Sequence, residues 1–454
     1  MKLSRSQMKA KLEEAAQELI ETLLDWDETN KTPSLREIED EVLVLRQQFG
    51  QILAATVVEG QEAQQPALTP CCPKCGEALR YKGRKSKKVE SRVGTLHISR
   101  GRYCCPRCES GVFPLDRQLG LSRKGWSEGV EREVVWLSGA VSSFQLVKEI
   151  LERVGQIQIS QPSVWRTAQI AGNKFQKLEN KEREKANCLP EKWDPPSRAQ
   201  VTDQRMGVSM DGAMVHIRKE GWKEVKIGDA FDIAVRPTKD EKTGEMINLA
   251  HAENNRYVAH LGGPDILGEL LWAEARRCGW EQAQDTMVCG DGAVWIWNQA
   301  DLHFGQSRQL VDWYHAKEHL TGAARLLKPE GTASFSRWLN SRETLLFQGH
   351  ATKIADELTK AADQFPSQHD ALAREAAYFQ NNHLRMNYLE MREEEWPIGS
   401  GMIESGAKQF KARFCGPGMQ WSRTGAENLL PIRAAVLSHR FNHMWDAARS
   451  LPPI

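Results

Sequence analysis

The chain of 454 residues has no run of eighteen apolar residues, which excludes a membrane-spanning helix. It also lacks an apolar segment behind its charged first residues, MKLSRSQMKAKLEEAAQ. No secretory signal is therefore expected, and the protein is read as cytoplasmic. Net charge is scarce, +1 from 61 Lys/Arg and 60 Asp/Glu, so the bulk balance does not announce a polyanion partner. The H-E-x-x-H order is missing, because Glu318 sits in the wrong place between His315 and His319. That removes the zinc-hydrolase reading of this histidine pair. No internal repeat is present apart from a doubled C-C-P-x-C. What remains is 40% hydrophobic and 27% charged. This is a globular composition with apolar residues enough for a core, at a length that suits about two to four domains.

Charge is nevertheless concentrated. Between Cys72 and Lys124 there are fourteen Lys/Arg against four Asp/Glu. Such a density favours a polyanion partner over a merely solvated face. Lys85, Lys87, Lys88, Arg100 and Arg102 are its candidate DNA contacts. The same block carries Cys72-x-x-Cys75 and Cys105-x-x-Cys108, with twenty-nine residues between the pairs. Each pair puts two thiolates on one tight turn. Four soft ligands at the corners of a tetrahedron, at about 2.3 Å, are what structural zinc takes. Gly76 supplies the freedom for positive φ that such a turn needs. Without a secretion signal, clustered cysteines read as metal ligands before disulfides. Cys71 and Cys104 leave an alternative open, since either could replace its neighbour. β-branched residues and turn glycines between the pairs suggest short strands, and residues 67–124 read as a zinc-ribbon-like domain.

On either side the pattern is helical. In residues 1–66, Ser34 and Glu37 form an S-x-x-E capping box. Behind it Leu35, Ile38, Val42, Leu45, Phe49 and Ile52 form a heptad seam. It suits packing on its own chain or a dimer contact. Across 125–188, Ser142-Ser143 can cap a helix stopped by Gly155, and Ser160 with Pro162 can open the next. That order fits a helix-turn-helix that binds DNA, or an ordinary helical hairpin. Linkers are read at Glu59–Pro70 and Leu189–Arg198. MGVSMDGAMVHI, WKEVKIGDAFDIAV and MINLAHAENN then read as strands. PDILGELLWAEARRCG reads as a helix, DTMVCGD as a strand, GAVWIWNQAD as a helix and SRQLVDWYH as a strand. The order suits a mixed sheet whose first strand lies beside parallel strands. Residues 316–395 show helical signals only.

Two strand-ending Asp-Gly steps carry the chemistry, Asp211-Gly212 and Asp291-Gly292. Singly, each is the turn dipeptide that it so often is. On parallel neighbours both aspartates would lie side by side at one end of the sheet. Two bare carboxylates there repel, and a divalent cation such as magnesium relieves the repulsion while leaving room for phosphate oxygens. Glu404, with Lys408 one turn on, could be a surface pair. It stands, however, between G-S-G and a basic run of Lys408, Lys411 and Arg413, further candidates for DNA contact.

The stretches VSMDGA, VCGDGAVWIW, VDWYHAKEHL, PIGSGMIESGAKQFKARF and GMQWSRTGAENLLPIRA resemble those of bacterial insertion-sequence transposases of the DDE type. The likeness is to the Kra-type group, related to Mutator-like elements, and covers most of the chain. It implies a multidomain α+β protein. A ribonuclease-H-like mixed α/β catalytic core over 200–315 and 396–454 would be interrupted by an all-helical insertion over 316–395. The carboxylates it implies are Asp211, Asp291 and Glu404, holding Mg²⁺ or Mn²⁺. The long interval of 113 residues from Asp291 to Glu404 is then the insertion. Asp312-x-x-His315 matches the (Cys/Asp)-x-x-His signature of the Mutator-like relatives, which puts His315 beside the site. The activity implied is cutting at the ends of the element and joining of 3′ ends to double-stranded target DNA, by an oligomer working on the nucleoid. The alternatives are an inert zinc-containing DNA-binding regulator, or a glycosidase built on a carboxylate pair, which the basic cysteine-rich front half disfavours.

Overall fold

Two antiparallel helices begin the chain, and each is started by the same local device. The side chain of Ser4 accepts from Gln7 N–H while Gln7 reaches back to Ser4, and Ser34 and Glu37 do likewise. These capping boxes satisfy N–H groups that a helix start would leave bare. Helices Arg5–Thr29 and Leu35–Glu59 follow, joined across the hairpin by Lys11 and Glu59 at 2.7 Å. The computed structural model describes residues 3–64, 69–121, 125–188, 202–239 and 244–451. The linker read at 189–198, and the middle of the one read at 59–70, lie outside the described residues. The chain divides into two compact units, residues 1–137 with 143–167, and residues 138–142 with 168–454.

In the first unit, strands β1 (Arg80–Ser91), β2 (Gly94–Cys104) and β3 (Gly111–Val112) form an antiparallel sheet in that order. β1 and β2 make a long ribbon from Arg80↔Cys104 to Ser91↔Gly94. Its inner side is set by alternation: Leu96, Ile98 and Arg100 of β2 point inward and His97 and Ser99 outward. Val89, Leu96, Ile98 and Leu115 form a small core beneath it. Ser143 caps the helix Phe144–Arg153, accepting from Leu146 N–H at 3.1 Å.

The second unit is built on five strands, β4 (Thr202–Ile217), β5 (Gly221–Lys239), β6 (Met246–Leu261), β7 (Ala283–Gly290) and β8 (Arg308–Val311). They lie in the order β6-β5-β4-β7-β8. β4–β5 and β5–β6 are antiparallel, while β4–β7 and β7–β8 are parallel. The helices Pro264–Arg277 and Val294–His303 supply the crossovers that parallel neighbours require. Met206, Val208 and Met210 of β4 join Met287 and Leu310 in a core that continues into the helices beyond β8. From Trp313 to Glu393 the described elements are all helical. The helix Gly401–Phe414 then returns to pack on β4 and β5, and the helix Arg423–Leu437 packs on β6. The molecule is a mixed α+β protein of more than one unit.

Two boundaries differ from the sequence reading. Asp211-Gly212 does not end its strand: β4 runs through it to Ile217, the end that MGVSMDGAMVHI suggests, because its far half pairs with β5 through Ile217↔Gly221. The stretch SRQLVDWYH is a strand only to Val311, since Asp312 caps the helix Trp313–Leu327. His315 is therefore a helical residue.

Candidate active site and metal centre

The cysteine knuckles are built by backbone turns. Gly76 N–H donates to Cys72 O at 2.9 Å and Glu109 N–H to Cys105 O at 3.0 Å. Both turn-closing residues have positive φ, 75° at Gly76 and 53° at Glu109. The two loops bring the Sγ atoms of Cys72, Cys75, Cys105 and Cys108 within 4.8 Å of one another, and the Cys75 and Cys105 sulfurs lie 3.5 Å apart. Zn–S bonds of about 2.3 Å imply sulfur–sulfur edges of about 3.8 Å, so the four thiols fit a tetrahedral zinc ion. The Lys74 N–H on the loop holds the Cys72 thiol down at about 6, while at Cys75 the pull of the Glu77 N–H is outweighed by the crowding of Cys108 and Cys105, which pushes that thiol up to about 12. Cys71 pairs with Ala78 in a bridge and Cys104 ends β2. Neither belongs to the cluster, which resolves the ambiguity of the doubled cysteines.

In the second unit the parallel pairing of β4 and β7 ends at Ser209↔Cys289. Asp211 and Asp291 each lie two residues beyond that pair, Asp211 still on β4 and Asp291 in the turn that follows β7. Asp211 is half-buried, and burial together with the nearby Asp291 charge pushes its carboxyl above the usual range, against the pull of the Gly212 N–H. Asp291 closes its own turn by accepting from Ala293 N–H at 2.8 Å. Gly292 between them has φ 102°, and a Cβ there would meet the Tyr378 ring at 2.7 Å. The Tyr378 hydroxyl donates to Asp291 O at 3.0 Å. His319 stacks on Tyr378 with ring centroids 3.6 Å apart and bonds Glu375 at 2.7 Å. His319 is thus committed to the helical segment and does not share an ion with His315.

Asp312 ties the site together. It is fully buried. Its N–H donates to Gly290 O at 2.7 Å, and its carboxylate accepts from His315 N–H at 2.7 Å and from Ser400 N–H. The next residue, Trp313, donates to Ile398 O at 2.9 Å. Burial alone would raise the Asp312 carboxyl, but the hydrogen bonds from His315 and Ser400 win and hold it below its usual range. The bond to Asp312 raises His315 to about 9, against the opposing effect of burial. Because Ser400 precedes the helix Gly401–Phe414, this clamp fixes where Glu404 in the first turn sits. The ligand atoms of Asp312, His315 and Glu404 lie within 4.8 Å of one another. The group within shared-ion distance joins Glu404 to Asp312 and His315 and does not include Asp211 or Asp291, although the charges of Asp291 and His315 act on Asp211. Glu404 also makes the anticipated turn-to-turn pair with Lys408, at 3.7 Å.

A family model matches residues 34–443. The chain belongs to UPF0236, an uncharacterised protein family. A search of curated proteins returned no match. The match on this UPF0236 chain spans both the cysteine cluster and the acidic site.

Not every candidate for DNA contact is available for one. Arg100 is buried, ion-paired with Asp116 and stacked 4.2 Å over the Phe113 ring. Arg413 is 1% exposed; it donates to Ser138 O at 2.8 Å and Ser142 O at 3.2 Å and stacks on Trp421. Both guanidinium groups are structural. Lys87 and Arg102 are half-buried, and burial pushes the Lys87 ammonium down. Lys85, Lys88, Lys408 and Lys411 are exposed, and Lys411 is near enough to Asp211 to act on its charge. The sequence reading missed Ser400 and Tyr378 as supports. Ser400 lies inside the quoted G-S-G, whereas Tyr378 sits in a helix with no local signal.

Proposed function

We propose that this UPF0236 chain is a DDE-type DNA transposase with a ribonuclease-H-like catalytic unit. It cuts phosphodiesters at the ends of its element and joins the 3′ ends to target DNA. One observation carries the reading: Asp211 on β4 and Asp291 in the turn directly after β7 each lie two residues past the last pair of these adjacent parallel strands. Glu404 is delivered to His315 and Asp312 by a helix packed on the same strands. The strand order, with an antiparallel three-stranded meander leading into two parallel strands, supports the fold part of the reading.

Asp211, Asp291 and Glu404 would hold divalent magnesium or manganese, which fits the Asp211 carboxyl, raised by burial and by the neighbouring Asp291 charge that a cation would offset. When bound, such ions supply activation of the attacking hydroxyl and neutralisation at the leaving oxygen. The chain's own residues do the rest. Lys408 and Lys411 lie on the helix of Glu404, open to solvent, where they attract DNA phosphates. Asp312 and Tyr378 fix the two loops that carry Asp291 and Glu404. The imidazolium of His315 keeps one positive charge among four carboxylates. Cys72, Cys75, Cys105 and Cys108 would hold a structural zinc ion, and the exposed Lys85 and Lys88 on the ribbon edge would meet DNA backbone.

The test is cleavage of the gene's native flanking DNA with magnesium, for wild type beside Asp291→Asn. Wild type is expected to release element ends, and the variant to lose cleavage by at least about a thousandfold while still binding the DNA. Equal cleavage by both proteins would refute the assignment.

A further inference from the structure

The two helices at the start of the chain leave a stripe of apolar side chains partly uncovered. Only Ala15 is buried in the first helix, and only Leu45 and Thr56 in the second. Between them runs an apolar groove of about 350 Å³, lined by Leu19, Ile20, Leu23, Val42, Leu45 and Phe49, with Arg46 at its edge. Ile20, Leu23, Leu35, Ile38, Val42 and Leu53 keep between 37% and 72% of their surface in water. Together that is on the order of 500 Å² of apolar area, at the upper end of the largest patch a soluble monomer exposes, where such patches are often functional.

We infer that this groove is the contact between two copies of the chain, which close their helical hairpins into a four-helix bundle. Three facts favour a second copy. Stable interfaces bury about 800 Å² per partner, of which about 60% is apolar, and the exposed stripe supplies that share. The spacing of Leu35, Ile38, Val42, Leu45, Phe49 and Ile52 is a heptad seam. Such a seam is complementary to itself, as a two-fold contact requires. Charge decides between occupants. Residues 5–59 carry twelve Asp/Glu against six Lys/Arg, so the hairpin repels nucleic acid and anionic lipid. Arg46, lying in the groove, makes no ion pair among the described residues, and the acidic helices of a second copy provide its partner.

Sedimentation equilibrium of the full-length protein over a range of concentrations tests this. Wild type is expected to reach twice the chain mass. Val42→Glu and, separately, Leu23→Glu are expected to weaken association at least about a hundredfold. Both positions are exposed in the single chain, so unchanged far-ultraviolet dichroism is expected and separates loss of pairing from loss of folding. A third variant, Arg46→Glu, reads the charge part and should weaken association without touching the apolar seam. A wild-type monomer would overturn the inference. So would a dimer that survives both glutamate variants, since its contact would lie elsewhere, and so would a stoichiometric foreign protein seated in the groove.

Discussion

The cysteine cluster and the group of Asp312, His315 and Glu404 reach similar compactness by opposite means. Each knuckle is a few residues long and closed by its own backbone hydrogen bonds, so its two thiols are placed before any tertiary contact forms. The acidic site has almost no local component. Asp211, Asp291, Asp312 and Glu404 come from a strand, the turn after another strand, a helix cap and the first turn of another helix. They are held by bonds that span up to 88 residues. Local sites depend on their ligand for stability, whereas composite sites depend on the fold around them.

The largest effect expected from this contrast is on the first. A double Cys72→Ser, Cys105→Ser variant, or wild type treated with a strong chelator, should lose protection from hydrogen exchange over residues 69–121. Structural zinc contributes on the order of 10 kcal/mol to small domains. Strands β4 to β8 should keep their protection; loss there as well would end the contrast. Next, Asp312→Ala removes the acceptor for two buried N–H groups and should cost about 3 kcal/mol, read from a urea midpoint. The cysteine cluster should be untouched. Smaller again, Tyr378→Phe releases one hydrogen bond to the Asp291 carbonyl. It is expected to cost about 1 kcal/mol and to lower cleavage more than DNA binding. The smallest effect is one of pH. His315 is raised in the folded protein, so its contribution is complete below the ordinary histidine value and is lost as pH rises through about 9. Thermal melts of wild type should therefore lose stability across that window relative to His315→Gln; parallel curves would remove the Asp312–His315 bond from the account.

Much of the fold was legible because its signals are local. The β-strands around Asp211 and Asp291 could be read from apolar runs that carry or run up to an Asp-Gly step, and the capping box at Ser34 from four letters. Where the reading failed, the physics was present in the sequence and outweighed by charge. Arg413 follows Phe410 by three residues and precedes Phe414, which places it on the inward stripe with Ile403 and Ala407. Arg100 shares the inward parity of Leu96 and Ile98 on β2. A cation in a basic run looks solvated until the period is followed through it. The end of β8 was misjudged for a different reason: Val311 and Trp313 both suit a strand, and only the cap formed by Asp312 turns the chain into a helix. The bond between Ser400 and Asp312 and the support by Tyr378 have no sequence signal, since each joins residues far apart in the chain.

Asp312 also bears on when the site comes into being. Its carboxylate is buried whether or not residue 400 has arrived, and half of what satisfies it comes from that residue. A chain still leaving the ribosome, with both aspartates already folded into their sheet, lacks Glu404 and the donor that fixes its helix. The last assembly step waits for residue 400, so a product truncated before it carries an incomplete acidic site and, on the function proposed above, would be inert.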